Sequence, residues 1–113
     1  MIVGAAIVEI RIHGSHSLKQ RRGVVRSIAQ RARNRYNLSI AEVGGQETWQ
    51  RAEIGICGAG SDRQYVRSQI ESAVAFIEEL HLAEIVAVDI EMLDLPYESA
   101  PWTDEDESVE TEE

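Results

Sequence analysis

A chain of 113 residues, 43% of them hydrophobic, is long enough to close one core without metals or disulfides. The lone Cys57 excludes an intramolecular disulfide. The apolar start MIVGAAIVEIRI is too short to cross a bilayer and lacks the basic opening of a signal peptide, so a soluble, cytoplasmic domain is expected. The net charge of −9 hides a polarised chain: all eleven Lys and Arg fall within residues 1–67, against five acids, whereas residues 68–113 hold fifteen acids and no base.

Residues 2–12 alternate as a strand, with Ile2, Gly4, Ala6, Val8, Ile10 and Ile12 on one face and Val3, Ala5, Ile7, Glu9 and Arg11 on the other. His13-Gly14-Ser15 breaks it. Ser17 to Gln20 then reads as a capping box, the serine capping a helix start and the glutamine reaching back. At about 100° per residue, Leu18, Val25, Ala29, Ala32 and Tyr36 fall in one stripe flanked by Ile28. Gly23 costs this helix roughly 1 kcal/mol relative to Ala.

Residues 38–43 form a short strand, and Gly44-Gly45 opens a hairpin connection. The partner strand runs from about Trp49 to Ala59, with Ala52, Ile54, Ile56 and Gly58 on one face. Ser61 to Gln64 reads as a second capping box. The helix after it buries Val66, Ile70, Ala73, Val74, Ile77 and Leu80 and ends at His81. Residues 84–93 alternate again, with Val86, Val88, Ile90 and Met92 inward and Ile85, Ala87, Asp89 and Glu91 outward. The order βαββαβ predicts an α+β, ferredoxin-like plait over residues 1–94, a four-stranded antiparallel sheet with two helices on one face. Residues 95–113 are expected to form an extended acidic tail, disordered at its end, because a run of mostly Asp and Glu buries too little to fold.

The run from His16-Ser17-Leu18-Lys19 to Ala41-Glu42-Val43, followed by Gln46, Trp49-Gln50 and Ala52, resembles the YlxP-like family of small bacterial proteins of unknown function. The resemblance spans roughly residues 1–93. It implies a ferredoxin-like fold and no established activity. It also implies a gene neighbourhood of translation initiation and ribosome maturation factors, hence ribosomal RNA or the ribosomal subunit as partner. The glycine-rich stretch from Gly55 to Gly60 and the acidic tail depart from the family pattern.

Between Ser17 and Tyr36 lie seven basic residues and no acidic one. Lys19, Arg22, Arg26 and Arg33 share one flank of the helix, a ridge about 21 Å long at about 1.5 Å per residue. Guanidinium groups in such a row suit phosphate contact, with binding that weakens as salt rises. Arg21, Arg31 and Arg35 fall on the other flank, beside Val24 and Ile28. The bland alternatives are a solvated face or pairing with the second helix, where Glu71 and Glu78 repeat the spacing of Arg26 and Arg33. Taking both helices to run the same way, these two stripes do not meet.

The sheet face left open by the helices is the second candidate. It is apolar for a surface in water, and a homodimer partner or the tail would cover it. Ile7, Trp49, Cys57 and Ala87 are the residues such a partner would touch. It is no RNA-recognition-motif surface, since only Trp49 offers a ring. The Gly55–Ser61 stretch lacks the Lys-Ser/Thr of a phosphate loop and reads as a structural turn. His13 and His16 lack a third metal ligand, and Cys57 lacks a His partner. Glu42, Gln46, Trp49 and Gln50 either shape a binding edge or fix the hairpin. No nucleophile–base pair, metal set or cofactor loop is offered, so the expectation is a non-catalytic RNA- or ribosome-associated module without a cofactor. Its acidic tail would compete for the basic helix when RNA is absent. The alternative is a protein-interaction or homo-oligomeric module.

Overall fold

The computed structural model describes residues 1–45 and 48–96. Six elements follow one another: β1 (Ile2–Arg11), α1 (Leu18–Arg35), β2 (Ser39–Gly44), β3 (Arg51–Gly60), α2 (Arg63–Glu79) and β4 (Glu84–Asp94). The strands form one antiparallel sheet in the order β2-β3-β1-β4, the α+β plait expected from the element order. β1 is central, with β3 and β4 along its two sides, and the edges of the sheet are β2 and β4.

Period-2 alternation decides which side of the sheet each residue serves. Val8, Ile10, Ile54 and Ile56 are fully buried beneath Ile28 of α1 and Ile70 and Ile77 of α2. Each such side chain stabilises the fold by roughly 1.5–3 kcal/mol relative to exposure. Where α2 crosses β1 the sheet carries Gly4. A Cβ there would stand 2.6 Å from Ile70 Cδ1 and 3.0 Å from Val66 Cγ1, so the glycine lets the helix seat directly on the strand.

Several local expectations are corrected. The Gly55–Gly60 stretch is no turn; it is the second half of β3. α2 is capped by Asp62 rather than Ser61, its carboxylate accepting from the Tyr65 N–H at 2.8 Å. β3 begins at Arg51, which leaves Trp49 in the connection. β4 shifts register opposite Glu9 and Ile10, where Glu9 faces Ala87 but Ile10 faces Ile85. The extra residue is Val86, a β-bulge that reverses the alternation. Ile85 therefore turns inward against the core and Val86 turns out, 43% exposed.

The helices run antiparallel, not in the same direction. β1 rises, α1 returns, β2 rises beside β3, and α2 rises from the end of the descending β3. With antiparallel helices the facing flanks have the same rotational sense, so topology alone would allow Arg26 and Arg33 to meet Glu71 and Glu78. The flanks that do meet are different. The Tyr36 hydroxyl donates to Ser72 O at 3.2 Å, the Tyr36 and Phe76 rings pack edge to face at 5.9 Å, and Arg35 lies over Phe76 at 5.1 Å. The arginine row and the two glutamates consequently lie on opposite outer flanks of the helix layer.

Candidate nucleic-acid interface

α1 starts where Ser17 Oγ accepts the Gln20 N–H at 3.1 Å and Gln20 Oε1 accepts the His16 N–H at 2.7 Å. Its rotational setting is fixed one turn later by Arg21, whose side chain is 1% exposed. Arg21 Nε donates to Arg51 O at 2.8 Å, and Nη2 donates to Gly45 O at 2.8 Å and to the Glu42 carboxylate. One guanidinium thus holds the helix, β2 and both ends of the β2–β3 connection. Helical spacing puts Arg21 with Arg31 and Arg35 on the flank beside Val24 and Ile28; in the structure it belongs to the buried face with Val25, Ile28, Ala29 and Ala32. A signal for it existed. Ile40 and Glu42 share the inward face of β2, opposite Ile56 and Ile54, and an inward carboxylate needs an inward cation.

With Arg21 anchored, Arg22, Arg26 and Arg33 are turned toward the β2 edge. They border a shallow hollow of about 260 Å³ floored by Val25, Ala29 and Ala41, with Glu42 at its side. Glu42 is already engaged by Arg21. Arg33 Nη1 donates to Ile40 O at 2.8 Å and Nη2 to Gln30 Oε1 at 3.4 Å, both uncharged acceptors. Among the described residues neither Arg22, Arg26 nor Arg33 has a carboxylate within salt-bridge distance. The fourth member of the expected ridge stands apart: Lys19 lines a different hollow, of about 580 Å³, with Ile12, His13, Val24 and Leu82. The row is therefore three arginines over about 16 Å at about 1.5 Å per residue. Glu71, which the sequence offered as a partner for the row, pairs with Arg67 at 3.0 Å.

The open face of the sheet carries Ile7 opposite Gly55 and Asp89, Cys57 opposite Ala5 and Ser39, and Ala87 opposite Glu9. Ile7 is 49% exposed, Val43 53% and Leu93 57%. Glu9 and Arg51 form an ion pair at 2.8 Å toward one end of this face. Trp49, beyond the strands, lines a hollow with Arg11, Thr48, Gln50 and Arg51. Gln46 lies outside the described residues, as does the chain beyond Pro96. His13 joins Glu84 at 2.7 Å, tying the β1–α1 loop to the start of β4. Among the described residues no three or more His, Cys, Asp or Glu side chains are grouped to hold a metal, and no helix is long and apolar enough to cross a membrane.

Residues 3–90 match the family described as "Protein of unknown function (DUF503)". The chain belongs to this family. It is also 38% identical over 77 residues to "Uncharacterized protein YlxP" of Bacillus subtilis (strain 168), covering 68% of this chain and 84% of that protein. Among solved structures, the chain is similar to "De novo designed protein Foldit4" at a TM-score of 0.46 and 11% identity, over 84% of this chain and 98% of the other. The matched segment includes Arg21, Glu42 and the arginine row, so the helix-to-hairpin anchor and the cations it orients both lie within the family region.

Proposed function

We propose that this protein is a non-catalytic RNA-binding module that presents the outer flank of α1 to phosphates, with ribosomal RNA or a ribosomal subunit as its partner. The observation that carries the reading is the row Arg22, Arg26 and Arg33, held outward by a buried anchor and matched by no carboxylate among the described residues. Arg33 keeps donors free beyond those given to Ile40 and Gln30, and a guanidinium can grip a phosphate with two at once. The Val25–Ala29–Ala41 floor gives the row a backing that excludes water from one side. The choice of ribosomal RNA over other polyanions follows the gene neighbourhood that the family resemblance implies.

The test is a filter-binding titration against ribosomal subunits and structured RNA at several salt concentrations. Three neutralised phosphates should give a slope of log K against log salt of roughly −2 to −3. Arg26→Glu with Arg33→Glu should flatten that slope and weaken binding at least tenfold. A salt-independent affinity, or no loss in the double variant, rejects the reading.

A second reading rests on the exposed Ile7, Val43 and Leu93, which leave the open sheet face more apolar than a surface needs to be. In it, two copies of the chain pack these faces together as a homodimer.

A further inference from the structure

We propose that the acidic segment 104–113 of this same chain docks on the α1 flank, its carboxylates meeting Arg22, Arg26 and Arg33. The proposal uses the same flank as the RNA reading but does not require RNA to be its ligand.

The described chain leaves the sheet at a fixed point. The Leu95 N–H donates to Met1 O at 2.8 Å, and the Met1 ammonium donates to Leu95 O at 2.9 Å. This clasp holds residue 95 beside the start of β1, at the end of the molecule where α1 finishes and α2 begins. The arginine row lies over β2, three strand positions from β4, or about 14 Å at about 4.8 Å per strand. Residues 96–103 span up to about 26 Å when extended, which covers that distance and the step up to the helix layer. The first acids after this spacer, Asp104, Glu105, Asp106 and Glu107, are thereby within reach of Arg33.

Charge density favours this flank, where three cations border one hollow. The near edge of the sheet is acidic, with Glu84, Asp89, Glu91 and Asp94 on β4. α2 begins at this end of the molecule and carries Arg63 and Arg67 in its first turns. Asp62 stands beside the first, and Glu71 is paired with the second at 3.0 Å. The next cations are those of α1. Arg35 lies over the Phe76 ring on the flank toward α2, and Arg22, Arg26 and Arg33 form the row on the other flank, with no carboxylate in salt-bridge range among the described residues. A tether this short holds the segment at an effective concentration on the order of millimolar, so even weak pairing is populated. Such docking falls with salt, as any exposed ion pairing does.

The experiment places a nitroxide on the full chain at Ser108→Cys, in a Cys57→Ser background, and reads amide signals without RNA. At low salt, signals around residues 22–33 should lose most of their intensity. They should recover at about 1 M salt, where screening acts within about 3 Å, and in the Arg26→Glu, Arg33→Glu variant. No broadening on α1, or broadening confined to residues 63–67, overturns the proposal. A companion chain with Asp104→Asn, Glu105→Gln, Asp106→Asn and Glu107→Gln should lose the broadening and bind RNA several-fold more tightly than the native chain. Broadening on α1 without any RNA binding sinks the RNA reading alone; salt-dependent RNA binding without broadening sinks this inference alone.

Discussion

Arg21 is the residue on which the candidate site turns. A buried ion pair adds little net stability, but removing one partner leaves the other charge stranded, at a cost of about 3–5 kcal/mol. Arg21→Met strands the Glu42 carboxylate and also frees Gly45 O and Arg51 O at the mouth of the hairpin. Its unfolding free energy, read from urea titration, should fall by about that loss, and Glu42→Met added to it should recover part of the stability. A single variant as stable as the native chain would show that the guanidinium does not hold the hairpin. This residue is hard to place from the sequence because helical periodicity sorts side chains by polarity. An arginine among Val25, Ile28 and Ala32 is then assigned to the flank by its charge, although its angle sets it inside. The inward Glu42 of β2 resolves the ambiguity, and it does so only when the two elements are considered together.

At the scale of elements, α1 shows how far spacing carries. The stripe of Val25, Ile28, Ala29 and Ala32 is buried as the sequence pattern predicts, and the cap at Ser17 is where the capping box sets it. What spacing left out was the neighbour on each side. Arg22, Arg26 and Arg33 face the β2 edge, where Arg33 covers the Ile40 carbonyl and so blunts an otherwise open strand. Gly23 lies in the same helix with nothing within 4 Å of the position a Cβ would take. Gly23→Ala should therefore stabilise the protein by about 0.5–1 kcal/mol and raise Tm by about 2–8 °C; a lower Tm would mean that the space around position 23 is not open in solution. The bulge at Val86 was invisible for a different reason. Ile85, Val86, Ala87 and Val88 are all apolar, so the pattern offered nothing to tell an uninterrupted alternation from one broken by an extra residue.

For the whole molecule, the fold was legible because six elements in the order βαββαβ leave few right-handed, uncrossed arrangements. The direction of the helices follows from that same order: each helix reverses the strand before it, and since β1 and β3 run oppositely the two helices are antiparallel. Whether two copies associate is a question of the surface, which alternation alone does not answer. If the open face forms the homodimer interface, light scattering should give twice the chain mass, and Ile7→Asp should return a monomer with unchanged far-UV circular dichroism. A native chain that is already a monomer at tens of micromolar would remove this reading. Among the described residues charge is distributed across the sheet as well as along the chain, basic over β2 and acidic along β4, so a polyanion is drawn toward the β2 side and repelled from the β4 edge.

The two hydrogen bonds between Met1 and Leu95 make the beginning of the first strand and the exit of the last one neighbours in space. A short peptide bridging them, with new termini cut into the connection after Gly45, would preserve every strand neighbour while changing the order in which they are made. The fold thus belongs to the layered arrangement and not to one particular route through it. The same clasp means that any fusion attached ahead of Met1 emerges beside residue 95.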